Sequence, residues 1–172
     1  ILWVVDRSGS MNRFNAELLA GVEAMLLALP VSDWRLVMIS ADPTRAIASN
    51  EFPLIPGDTI ADAEAMLNTL TMATLEEGFN SVYQYITNNP YASTWMRPDA
   101  GLLVVFVSDE EEQSTWQVPE FASYLRMTRS LTFITSIVGL ENGGQWRGEC
   151  GDQEGLRYLD LAREFGGIEI NI

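Results

Sequence analysis

The chain reads as an α/β protein with a doubly wound, mostly parallel central sheet, one short antiparallel edge strand and helices on both faces. Three observations predict this. Short unbroken apolar runs recur along the sequence, as expected of strands buried on both sides. Segments with apolar residues at helical spacing alternate with them, and Pro and Gly mark the boundaries. The first strand is Ile1 to Val5. Phe14 to Leu29 carries Phe14, Leu18, Val22, Met25 and Leu29 at helical spacing, and Pro30 stops it. Arg35 to Ser40 is a second strand. Between Ala41 and Gly57, Pro43, Pro53 and Pro56 leave room for one short edge strand, placed at Ala46 to Ala48. Helical pattern returns over Ile60 to Leu70 and restarts after Thr74, with Phe79, Val82, Tyr83 and Ile86 on one face. Gly101 to Ser108 is the most strand-like segment. A helix begins near Pro119, a residue suited to a first helical turn, and Leu131 to Val138 is another strand. Gly139 to Gly155 is a polar loop. The helix from Leu156 to Phe165 stops at Gly166-Gly167, and Ile168, Ile170 and Ile172 alternate with polar residues in a strand with one solvated face.

With 172 residues, 47% of them hydrophobic, the chain is one domain spanning residues 1–172, with no room for a second. No apolar run approaches the roughly 18 residues that cross a membrane, so direct membrane insertion is not expected. The chain starts on Ile inside a strand, which reads as a domain taken from a longer protein that carries its targeting signals elsewhere. The formal net charge is −14, and Lys and His are absent, so every basic residue is Arg. Such a surface repels phosphate backbones and argues against nucleic acid as a partner. Without Lys or His, this chain cannot by itself assemble a Ser-His-Asp triad, a His-ligated zinc site, a Walker-type loop or a Schiff base. Cys150 is the lone cysteine, able to pair only outside this segment or to stay free.

Asp6-Arg7-Ser8-Gly9-Ser10 follows the first strand directly. It sets one carboxylate and two hydroxyls at alternate positions where the chain must turn, hard oxygen donors of the kind that hold a divalent cation. Asp109 ends the strand that starts near Gly101. Ligands of open parallel sheets collect beyond the carboxyl ends of the strands, where the strand order reverses. If these two strands are neighbours there, Asp6 and Asp109 meet over one site.

Asp-x-Ser-x-Ser after a first strand, with Met11 following and Ser108-Asp109 later, resembles the metal-ion-dependent adhesion site of von Willebrand factor type A domains. The ending Gly166-Gly167-Ile168 after Arg157-Tyr158-Leu159 is similar to that of bacterial members. The resemblance implies a Rossmann-like fold and a metal set of Asp6, Ser8, Ser10, Thr74 and Asp109. Thr74 is chosen because Thr74-Leu75-Glu76-Glu77 is a capping-box pattern ahead of a helix. Thr71 is the fallback, and Gly78 stands farther from the Thr than the family pattern has it. The implied ion is Mg²⁺, with Mn²⁺ or Ca²⁺ also accommodated, and an Asp or Glu of a protein or glycan partner completes its shell. The implied function is non-enzymatic adhesion or assembly on a bacterial surface, pilus or phage particle, hence an extracellular, cell-surface or virion location. A scaffold-type domain in an intracellular or virion assembly is the alternative. A magnesium-dependent phosphatase with Asp6 as nucleophile is a further one, although Ser8 stands where that chemistry wants a second Asp and its usual Lys is missing.

Other residues carry plainer readings. Asp6 and Ser8 also suit a turn that satisfies loop amides. Glu111 and Glu112 read as solvated loop, and Glu110 either as part of that loop or as a group able to tune the ion's charge or occupy its open position. Arg7 either covers the rim or is an ordinary surface residue. Trp3, Trp34 and Trp95 read as core or groove fillers, whereas Trp116 and Trp146 are candidates for partner contact. Glu149, Asp152 and Glu154 around Cys150 read as a hydrophilic loop rather than a second cation site.

Overall fold

A computed structural model describes residues 1–30, 32–140 and 154–172. Trp146, Glu149, Cys150 and Asp152 lie outside the described residues.

Five parallel strands form one sheet in the order β2-β1-β3-β4-β5. They are β1 (Leu2–Val5), β2 (Val37–Ser40), β3 (Leu102–Val107), β4 (Thr132–Val138) and β5 (Ile168–Asn171). All residues of β1 and β2 are buried, as the apolar runs Leu2–Val5 and 37–39 require. The chain winds from β1 out to β2 and later returns to β3 on the other side of β1, so the switch point falls between β1 and β3. Val5 is in register with Val107, and the Asp6 amide donates to the Val107 carbonyl at 2.9 Å. The expected neighbourhood of the two acidic strand ends is therefore present.

Helices cover the two faces unequally. After a 3-10 turn over Ser10–Phe14, α1 (Asn15–Ala28) packs on the face that carries Trp3. On the opposite face lie α4 (Gly78–Asn88), α6 (Val118–Thr128) and α7 (Leu156–Glu164); the remaining helices are α2 (Pro43–Ala48), α3 (Ile60–Thr69) and α5 (Ala92–Trp95). Their contact with the sheet is aromatic. Phe79 stacks on Phe121 at 4.5 Å between ring centroids and meets Tyr158 edge-on at 5.5 Å, and both Phe79 and Tyr158 lie against Phe106. A Cβ on Gly78 would stand 2.6 Å from the Tyr158 hydroxyl, so the start of α4 approaches this cluster as only glycine allows.

Four expectations are corrected. Ala46 to Ala48 is the end of helix α2, not an edge strand. Asp42 caps that helix, its Oδ1 accepting from the Thr44 amide at 2.8 Å, and Pro43 occupies the first turn, so a proline read as a breaker is a helix start. Antiparallel pairing in this stretch is a single bridge between Leu36 and Leu54. Helix α4 starts at Gly78 with Glu77 as its N-cap, so the capping box proposed at Thr74 does not form. Finally, β5 is exposed on both faces. Ile168 and Ile170 lie on the α1 side beside β4, and no described helix covers them.

Candidate functional site

The strand ends build the site by one repeated device. At the carboxyl ends of the adjacent strands β2, β1 and β3, a side-chain oxygen accepts the amide two residues on. Ser40 Oγ accepts from Asp42 N at 3.1 Å, Asp6 Oδ1 from Ser8 N at 2.7 Å, and Ser108 Oγ from Glu110 N at 3.1 Å. Each bond folds the chain back over the sheet edge. The Ser108 hydroxyl also donates to Asp6 Oδ2 at 2.8 Å, tying the β1 and β3 turns together.

This brings four of the five sequence-selected residues together. Ser8 Oγ and Ser10 Oγ are 2.9 Å apart, and the Ser10 hydroxyl donates to Asp109 Oδ1 at 3.1 Å. Asp6 and Asp109 are each 1% exposed. Thr74, the fifth, is exposed, as is Thr71. The side chain that the intervening loop turns inward is Glu76, which the sequence reading absorbed into its capping box. Glu76 is buried, and its Oε2 accepts from Gln113 Nε2 at 2.6 Å. Burial, and then the negative charges of Asp6 and Glu110, push its carboxyl up to about 7. Glu110 is raised as well, by burial and then by Asp6.

The neighbouring charged residues divide differently from expectation. Glu112 is not solvated. It is buried, and it accepts from Phe79 N at 2.9 Å and Ser114 N at 2.7 Å, anchoring the first turn of α4. Burial is the main force raising its carboxyl above the usual range. Glu111 is only partly exposed and accepts from the Arg157 amide at 3.1 Å. Arg7 does not cover the acidic cluster, because its guanidinium donates to Asn15 Oδ1 at 2.9 Å and the Leu70 carbonyl at 3.3 Å. The arginine beside the cluster is Arg13, with Nη2 3.5 Å from Asp109 Oδ2. Its signal in the sequence is its place one turn after Ser10. Trp116 packs among Tyr83, Phe121 and Tyr124, half-buried rather than presented as an anchor.

The donor set suits a small hard cation. Adjacent ligands of an octahedral Mg²⁺ bound at about 2.0–2.1 Å stand about 2.9 Å apart. The Ser8–Ser10 and Ser10–Asp109 oxygen spacings match two edges of such a shell. Among the described residues, no three Asp, Glu or Cys side chains gather closely enough to hold a metal on their own. Any cation bound here would therefore depend on the hydroxyls.

No protein-family model matches the sequence, and no curated protein matches it. Among solved structures, the chain is similar to an aerotolerance-related membrane protein from Bacteroides fragilis carrying multiple mutations to serines. The TM-score is 0.57 and the identity 14%, over 99% of this chain and 90% of that one. The fold is Rossmann-like α/β, consistent with the type A architecture. At this identity the likeness speaks for the fold alone. No described helix is long and apolar enough to cross a membrane.

Proposed function

We propose that the chain is a divalent-metal-dependent protein- or glycan-binding module rather than an enzyme. The observation that carries this reading is the convergence of Ser8 Oγ, Ser10 Oγ and Asp109 Oδ1 above a buried Asp6 at the switch point. Asp6 and Ser108 fix the two turns, the serines and Asp109 supply oxygens to the ion, and Thr74 joins them when partner is bound. Mg²⁺ suits this set best because it keeps several waters and can exchange one for an incoming carboxylate, while Mn²⁺ or Ca²⁺ would use the same oxygens. When bound, the ion supplies an electrophilic position for an Asp or Glu of the partner. Arg13 adds positive charge next to Asp109, which favours the same kind of ligand. The absence of Lys and His supports binding over turnover. A cell-surface, extracellular or virion setting, within a longer protein, belongs to the same proposal.

The test is capture of carboxylate-bearing peptides on immobilised protein in Mg²⁺ and in EDTA. Capture in Mg²⁺, lost in EDTA and in Ser8→Ala, is the expected result. Equal capture under all three conditions contradicts the reading, and metal-dependent phosphatase turnover abolished by Asp6→Asn would replace it with the enzymatic one.

A further inference from the structure

At the opposite end of the sheet, below the starts of β1, β2 and β3, lies a cavity of about 250 Å³ whose walls include Trp34, Arg35, Trp95, Arg97, Leu102 and Arg129. In a chain of net charge −14, three arginines meet here against one lining acid, Asp33. That acid shows what the arginines can hold. Its carboxylate pairs with Arg97 and lies 3.9 Å from Arg35 Nε, yet its side chain is 68% exposed, a surface group folded against the cavity rather than buried in it. Arg35 is fixed from behind by donating to the Trp95 carbonyl at 2.9 Å. Arg129 spends one of its five donors, on the Thr128 carbonyl at 2.8 Å, among the described residues. The rest of the wall is mixed, with Ser32 polar and Trp34, Trp95, Met96 and Leu102 supplying apolar surface. A bare inorganic anion would leave the tryptophans and Leu102 unused, and the volume holds a group the size of one residue.

We propose that this cavity binds a carboxylate carried on a short apolar stem, the oxygens paired with Arg129 and Arg97 and the stem against Trp34 and Trp95. Planar guanidinium forks match a carboxylate in two-point fashion, and the aromatic walls remove the stem from water. Asp33 is the internal competitor that such a ligand displaces. The site is independent of the metal cluster, and it has two natural sources of ligand, an acidic peptide or a free organic acid.

The test follows the indole Nε1–H NMR signals of the intact protein during titration with 3-phenylpropionate, with a blocked tetrapeptide containing Phe-Glu, and with neutral 3-phenylpropionamide. Saturable shifts with at least one acid, about tenfold weaker for the amide and for Arg129→Gln, are expected, since a hydrogen-bonded charge pair is worth roughly that much or more. Asp33→Asn should bind several-fold tighter. Shifts with both acids support a peptide source, and shifts with the small acid alone support a free one. The proposal is overturned if neither acid binds to wild type or Asp33→Asn, or if the amide binds equally well. Unchanged circular dichroism of Arg129→Gln confirms that its loss is local.

Discussion

The two ends of the sheet carry opposite chemistry. At the carboxyl end Asp6, Asp109, Glu76 and Glu112 are buried, whereas at the amino end the prominent charges are Arg35, Arg97 and Arg129, about one-third exposed or half-buried. Sheet polarity explains the division. Crossover helices of a parallel sheet run back against the strands, so their positive N-termini gather at the carboxyl end and their negative C-termini at the other. Glu112 accepts from the first turn of α4, and Arg129, the C-cap of α6, donates to that helix's last turn. The ends also differ in support: the four acids are buried, Asp6 and Glu112 accepting backbone amides, while the arginines are partly exposed. Substitutions at the carboxyl end should therefore cost stability, and those at the amino end should not.

The largest effect is expected from Gly78→Val, whose new side chain collides with Tyr158 and Phe106. Overpacking of this kind costs about 1–3 kcal/mol, measurable by urea denaturation. Glu112→Ala should follow at about 1–3 kcal/mol, because the Phe79 and Ser114 amides lose their buried acceptor. At the amino end, Arg129→Gln should move stability by less than about 0.5 kcal/mol, as surface substitutions do. A loss as large as that of Glu112→Ala would erase the contrast between the ends.

Burial raises Glu112 above its ordinary 4.5, so the folded protein retains a proton that the unfolded chain has released. Its contribution to stability is complete below about pH 4.5 and declines as the pH rises through the raised value. Glu112→Gln should flatten that decline in denaturation curves recorded across the window; an identical slope would assign the pH dependence to other groups. Thr74→Ala should weaken capture of an acidic partner while changing Mn²⁺ affinity little. Equal losses in calorimetry and capture would show that Thr74 acts on the ion before the partner arrives.

The clustering of Asp6, Ser8, Ser10 and Asp109 is legible because local order decides it. A buried strand followed by Asp-x-Ser-x-Ser leaves few places for Asp6, Ser8 and Ser10, and the parallel register then puts Asp109 beside them. The loop before α4 was not legible, because distant backbone sets its path. Ala73 N donates to the Arg7 carbonyl, Glu77 N to that of Ala41, and Gln113 N to that of Glu76. Those contacts turn Glu76 inward and leave Thr74 exposed, against a capping pattern that sequence proximity favoured. Glu112 was misread for a related reason, since four consecutive acids resemble a solvated run and only the approach of α4 buries the last of them. The alternating isoleucines of β5 identified the strand, but alternation does not reveal whether a helix lies over the apolar face.

Mn²⁺ titration of wild type and Asp6→Ala by calorimetry decides whether the β1 and β3 turns hold one divalent cation, as proposed. A saturable single site in wild type, weakened about 10- to 100-fold in Asp6→Ala with the far-ultraviolet circular dichroism preserved, is the predicted result. Equal Mn²⁺ affinity in the two folded proteins, or no binding by either, would contradict it.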